Sequence, residues 1–415
     1  MRRSIGTTAA IAALALAATA CGSDDSGGGS GEGGKITVTF WDTSNETEAK
    51  VFKAVAEEFS TVRSDVEVDY VNIGWDGAQD RFKNAAPTGD APQVMRTEVA
   101  WVSDFASLDY LAPLDGTPAV ENQDDYLEQA WASTQYDGTT YAVPQVIDTL
   151  ALFYNKALLD EADVEVPESL EDIKASADAF EGLEAPFYLR GDDPYWFFPY
   201  IYGEGGDLVD ADAETVTIDD ESGVAAFEAV RDLLDSGAAI TDTTDGWESM
   251  MGAFGNGDVA MMINGPWAIN DAAEAIGAEN LGVAPVPAGS VTQGSPQGGW
   301  NYGVYAGLPE DEMEAAQEFV AYMSSADVQQ RITEELSLLP TRASVYEVES
   351  VATNEMVEFF APAVEVAKER AWIPEGNSLF DPLKEEVEGM LLGQSTPEET
   401  ASKTADRYRD LLGWQ

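Results

Sequence analysis

The sequence predicts an α/β protein built as two lobes, and three observations lead there. The chain has 415 residues, more than a single core ordinarily serves. Hydrophobic residues make up 44% of it, enough for sizeable cores and too many for a disordered chain. From residue 35 onward, short apolar strand-like runs alternate with segments of helical period, the pattern of a mainly parallel sheet covered by helices.

The chain opens differently. Arg2 and Arg3 are followed by an apolar stretch from Ala9 to Ala20, too short to span a bilayer as a mature helix, so residues 1–20 read as a signal peptide. The paired arginines also suit twin-arginine export. Ala18, Thr19 and Ala20 precede Cys21, the chain's one cysteine, and resemble a bacterial lipobox, in which the thiol takes up a lipid; Ala stands where Leu is commoner. The alternative is an ordinary secretory signal with a stray cysteine nearby. Residues 21–34 are almost all Gly, Ser and acid, a flexible tether spanning roughly 20 Å.

The folded part then begins. Ile36 to Trp41 reads as a buried strand, and Glu46 to Val62 as a helix with Val51, Phe52, Val55 and Phe59 near one face. Val66 to Val71 alternates as a strand does, Asp76 to Ala85 is helical, Gln93 to Met95 is a short strand and Val102 to Leu108 a short helix. Tyr141 to Pro144 and Leu150 to Tyr154 read as two strands. Helices follow at Ser169 to Phe180, Gly223 to Asp235 and Trp247 to Gly255. Asp258 to Ile263 is a strand, Pro266 opens a helix, and from Glu310 to Leu412 the chain is largely helical.

Composition excludes much chemistry. There is no His, so a Ser-His-Asp triad, a Cys-His pair and a His-ligated metal cannot be built. The net charge of −56 repels phosphate backbones and anionic headgroups, which argues against nucleic acid and leaves only hydrophobic attachment to a membrane. No cofactor is called for, and Asp192-Asp193 and Asp219-Asp220 lack the spacing of a calcium loop.

Several segments together resemble one family. They are Lys35 to Trp41, Thr88 to Pro92, Tyr136-Asp-Gly138 with Tyr141 to Pro144, Phe153 to Lys156, Phe254 to Met261, Ile263 to Trp267, and Gln297 to Asn301. In this order they resemble the sugar-specific solute-binding proteins of ABC importers, the group that includes the maltose-binding proteins. Gln93 stands where the family's turn has Asp. The resemblance implies a periplasmic-binding-protein-like fold with a hinge and an interlobe ligand cleft. One lobe is expected over residues 35–146 and 303–350, the other over 147–302 and 351–415, with crossovers near Pro144 to Asp148, Trp300 to Tyr305 and Val348 to Glu355. It implies a lipid-anchored monomer on the outer face of the bacterial cell membrane that delivers maltose-like oligosaccharides to permease subunits.

An oligosaccharide site needs flat aromatic rings for the C–H faces of the sugar and carboxylates for its paired hydroxyls. The resemblance places such residues at Tyr195 and Asp193 within the aromatic run Asp192 to Tyr200, at Trp267, at Asp148 and at Glu46. Part of that run must serve a core, since its aromatics cannot all face one ligand. Trp75 and Asp76 suit a cleft edge. Arg96, Glu98 and Trp101 stand where the maltose binder has Trp, Asp and Arg in another order. Trp300 and Asn301 line the floor, and Phe380 takes the place of a stacking Trp. Two other readings stay open: a secreted glycoside hydrolase, which also needs paired carboxylates, and a binder of another small solute on the same fold.

Overall fold

The computed structural model describes residues 35–414. Two sheets organise them. The first has six strands in the order Leu339–Pro340, Ala142–Asp148, Gly298–Val304, Val94–Glu98, Ile36–Asp42, Val66–Asn72. The last three run parallel to one another, and Gly298–Val304 is antiparallel to both of its neighbours. The second sheet has five strands in the order Ala239–Asp242, Phe187–Arg190, Met261–Asn264, Ala151–Asn155, Leu281–Pro285.

The helix Glu46–Val62 shows how local signals set the elements. Asn45 caps it by accepting from the backbone N–H groups of Thr47 and Glu48, and Glu46 and Glu48 lie in the first turn beside the positive end of the helix dipole. Phe52, Val55, Ala56 and Phe59 recur at helical spacing and are buried. They pack on Phe40 of the first strand, whose ring meets Tyr70, Tyr302 and Phe319 edge-on.

Several expected elements shift for identifiable reasons. The strand expected at Tyr141 to Pro144 runs on to Asp148. It carries a bulge: Trp300 pairs with Val146 and Asn301 with Pro144, so Gln145 is the extra residue. Pro144 has no N–H to give the ladder, and the bulge re-aims Gln145. The strand expected from Asp258 starts at Met261, because Gly257, with φ 75°, closes the preceding helix and Asp258 N–H still bonds Ala253 O. Residues 78–85 form the helix expected from Asp76; Trp75 and Asp76 lie in the turn before it. Phe187–Arg190, Ala239–Asp242 and Leu281–Pro285 are strands that periodicity did not single out, being only 4, 4 and 5 residues long.

The expected lobe limits at 146/147 and 302/303 fall inside strands of the first sheet. The chain instead changes sheet at Thr149–Leu150 and again between Pro285 and Gly298. Those passages are tied together: Thr149 Oγ1 donates to Pro296 O at 2.9 Å, and Ser295 Oγ donates to Leu150 O at 2.9 Å. Each sheet has its own apolar cores. One core of the second sheet reaches Ile147 and Leu339, at the ends of first-sheet strands, so the connection is packed. Among the described residues no helix is long and apolar enough to cross a membrane. Cys21, the signal peptide and the tether lie outside the described residues.

Candidate functional site

Three groups of side chains meet where the two lobes face each other. The first belongs to the first sheet. Trp75 stacks on Trp101, with ring centroids 4.9 Å apart and planes 19° from parallel, and Trp300 meets both edge-on. Trp101 is buried, whereas Trp75 is 50% exposed, so the stack presents one indole face outward. Under Trp300 lies the guanidinium of Arg96, 3.9 Å from the ring centroid. Arg96 is only 1% exposed and cannot reach a ligand in this arrangement. Its Nε donates to Gln145 Oε1 at 2.7 Å, the side chain turned inward by the bulge, and it lies 3.9 Å from Asp42 and 3.7 Å from Glu48. Glu48 is the buried acid of the first helix; burial raises its pKa above the usual carboxylate range, with Arg96 opposing. Glu46, two residues earlier, is exposed at the helix start and lies outside the cluster, and Asp76 is likewise exposed.

The second group forms the middle of the slot. Glu98, on the first-lobe strand, pairs with Arg370 from the far lobe and accepts from Ala100 N–H at 2.8 Å. Arg370 Nε donates to Gln297 O at 2.9 Å, and its guanidinium lies over Tyr195, Trp372 and Phe380. Tyr195 donates its hydroxyl to Pro296 O at 3.1 Å. Asp148 ends its strand beside them. It is 8% exposed, and its carboxylate has no hydrogen bond or ion pair among the described residues. Burial, reinforced by Glu98, pushes its pKa up to about 7, against Arg370 and Arg96. Gly298 makes this convergence possible, since a Cβ there would lie 2.1 Å from Asp148 Oδ1 and 2.5 Å from Tyr195 Oη.

The third group belongs to the second lobe. The run Pro194–Phe197 is a short 3-10 turn continuing as the helix Phe198–Gly203. Trp196, Phe197, Phe198, Tyr200 and Tyr202 are buried, which leaves Tyr195 as the partly exposed member. Asp193 caps the turn through Tyr195 N–H at 3.0 Å and lies 3.5 Å from Arg190. Arg190 sits 3.9 Å from the centroid of Trp196, and Trp267 meets Trp196 edge-on at 6.1 Å. Phe380 packs on Phe198 rather than standing free.

The structure therefore brings together Glu98, Asp148, Tyr195, Phe380, Trp75, Trp101 and Trp300, with Trp267 and Asp193 adjoining. Asn301 does not face the slot: it is buried, and its Nδ2 donates to Ser133 Oγ at 3.1 Å. Sequence reasoning missed Arg370 and Trp372. Their signal is the pairing of a basic residue with a Trp in a chain that has only 21 Lys and Arg.

The lobes are closed on each other. Besides the Glu98–Arg370 pair, Ser103 Oγ donates to Ile373 O at 3.0 Å and Asn377 Nδ2 to Gln79 Oε1 at 2.9 Å. The cavity left between Ala100, Phe198, Arg370 and Phe380 has about 10 Å³, room for a water and not for a sugar ring. The indole N–H groups of Trp101 and Trp372 and Oε1 of Gln297 are buried with no protein partner. Among the described residues no acidic cluster is placed to hold a metal.

Two α/β lobes closing on an aromatic and acidic slot define a protein that captures a small solute by hinge motion. The chain belongs to the bacterial extracellular solute-binding proteins, whose family model matches residues 54–359. It is 59% identical to the GacH receptor of Streptomyces glaucescens, solved unliganded and with acarbose, over 91% of this chain and 99% of that one, with a TM-score of 0.87. It is 25% identical to maltose-bound T. maritima MalE3, over 90% of this chain and 99% of that one, with a TM-score of 0.79. The diacetylchitobiose binding protein DasA of Streptomyces coelicolor is 24% identical over the full length of both chains. The family is extracellular and these members are named for the sugars they bind, binding proteins rather than enzymes, which sets the glycoside hydrolase reading aside.

Proposed function

We propose that this protein captures maltose-like oligosaccharides, acarbose-type pseudo-oligosaccharides among them, and passes them to the permease of an ABC importer. The observation that carries the reading is a pair of carboxylates, Asp148 buried and Glu98 half-buried, flanked by aromatic rings from both lobes. Pyranose C–H faces lie on such rings, and a carboxylate accepts from two neighbouring hydroxyls at once. The 59% identity with an acarbose-binding receptor supports an α-linked glucose-type ligand over a chitobiose-type one. Ligand contacts to both lobes favour the closed form, the one a permease distinguishes from the open form.

A thermal-shift panel of maltotriose, acarbose, diacetylchitobiose, trehalose and cellobiose tests this. Maltotriose and acarbose are expected to raise Tm, since a ligand bound only to the folded state stabilises it. A shift with diacetylchitobiose alone overturns the reading. The same proposal places the protein as a monomer held at the outer face of the cell membrane through lipidated Cys21. Cys21→Ser is then expected to move it from the membrane fraction to the medium.

A further inference from the structure

We infer that Arg96 is a positioning residue for sugar capture: its flat guanidinium backs the ring of Trp300 and sets the angle at which the tryptophan cluster meets a ligand, without touching that ligand. The inference rests on the sugar-binding reading above and adds a determinant that lies beneath the slot. Sheet register brings the two side chains together. Trp300 pairs with Glu98 and Tyr302 with Arg96, so Arg96 and Trp300 are diagonal neighbours on two antiparallel strands. The guanidinium carbon lies 3.9 Å from the Trp300 centroid and 5.1 Å from that of Phe52, a buried ring of the first helix. It is held between a core ring and a slot ring.

Polar support for Arg96 is thinner. Among the described residues its side chain donates to Gln145 Oε1 at 2.7 Å, while Asp42 and Glu48 stand at 3.9 and 3.7 Å, beyond hydrogen-bonding distance, and Nη1 has no partner. A cation that served only to neutralise those two acids would close on them and fill its donor sites. Here the plane lies against the indole instead. The hydrogen-bond partner matters too. Gln145 is the bulge residue of the strand Ala142–Asp148, and Trp300 lies where the facing strand shifts register. Those two strands lead into the passages between the lobes. Arg96 thus fixes Trp300 against the pair of strands that carries the chain across. Trp300 in turn meets Trp75 and Trp101 edge-on at 5.4 and 6.2 Å, so its tilt sets how the exposed face of Trp75 is presented.

The test is calorimetry with maltotriose on the whole mature protein, comparing wild type, Arg96→Lys, Trp300→Leu and the double variant. An ammonium keeps the charge beside Asp42 and Glu48 but has no plane to lay on the indole. Arg96→Lys is therefore expected to weaken maltotriose about tenfold while moving the urea midpoint little. In the Trp300→Leu background the same change is expected to alter affinity less than about twofold, since Arg96 acts through that ring. Near-UV circular dichroism reads the contact without a ligand: Arg96→Lys is expected to change the tryptophan bands, and to change nothing further in the Trp300→Leu background. If Arg96→Lys does not fold, Gln145→Met takes its place; it removes only the acceptor of Nε, and a loss of about threefold with the same dependence on Trp300 is expected. Affinity unchanged by these variants, or reduced by the same factor with and without Trp300, overturns the positioning role and leaves sugar capture standing. Where Trp300→Leu binds too weakly to measure, a dichroism difference that persists without Trp300 overturns it equally. A wild-type protein that binds none of the sugars in the thermal-shift panel overturns the sugar reading, and the role built on it.

Discussion

The two lobes bring aromatic residues to the slot in opposite ways. The second lobe supplies a contiguous run, Tyr195 to Tyr202, of which nearly every ring is spent on its own core and one, Tyr195, is left partly open. The first lobe supplies Trp75, Trp101 and Trp300 from segments that follow or form three different strands, and stacks them so that the outermost is half exposed. Aromatic density along the chain therefore marks a core as readily as a binding surface. Convergence from separate segments onto a partly open face is the better mark of a site.

This contrast can be broken at its joint. Arg370→Met removes the cation that links the lobes and leaves Glu98 unpaired at a largely buried position; a loss of about 3–5 kcal/mol in urea unfolding is expected. Within the first lobe, Trp101→Ala should cost about 3–5 kcal/mol of stability, because the ring is only 2% exposed. Trp75→Ala should cost stability no more than about 1 kcal/mol and affect chiefly sugar affinity, measured by calorimetry. Equal stability losses would mean that the stack is not the layered structure described.

At the seam between the lobes, pH reports on Asp148. Its folded pKa of about 7 lies above the ordinary 3.8, so folding takes up a proton between those values. Wild-type stability is therefore expected to fall as pH rises from about 4 to 7, by at most about 4 kcal/mol for this group, while Asp148→Asn shows a correspondingly flatter profile by denaturant melts. On the second-lobe side, Trp267→Ala should weaken sugar binding by about 1–3 kcal/mol with the fold intact. The smallest effect is expected at Glu46→Gln, which sits exposed at the helix start and should change affinity and stability by no more than about 0.5 kcal/mol.

Much of this was legible in the chain. The apolar period from Glu46 to Val62 gives that helix with its limits unchanged, and the order of short motifs indicates the fold. Less legible were elements whose limits depend on partners. The strand Ala142–Asp148 extends through Pro144 only because neighbouring strands accept a bulge there. Glu46 and Glu48 look alike in sequence, and packing alone decides that Glu48 faces Arg96 while Glu46 faces solvent. Asn301, expected on the slot floor, bonds Ser133 instead, because successive strand residues point to opposite faces.

By itself the sequence determined which chemistry was possible: no histidine for catalysis, an abundance of rings and acids, and a Gly298-Gly299 pair that admits close approach. The tertiary structure decided which acids count. Glu98 and Arg370 meet across 272 residues of chain, and no local rule sets that distance. Charges in water are nearly interchangeable, but once desolvated each must find a partner, and only the folded arrangement determines which carboxylate, Asp148, is left without one.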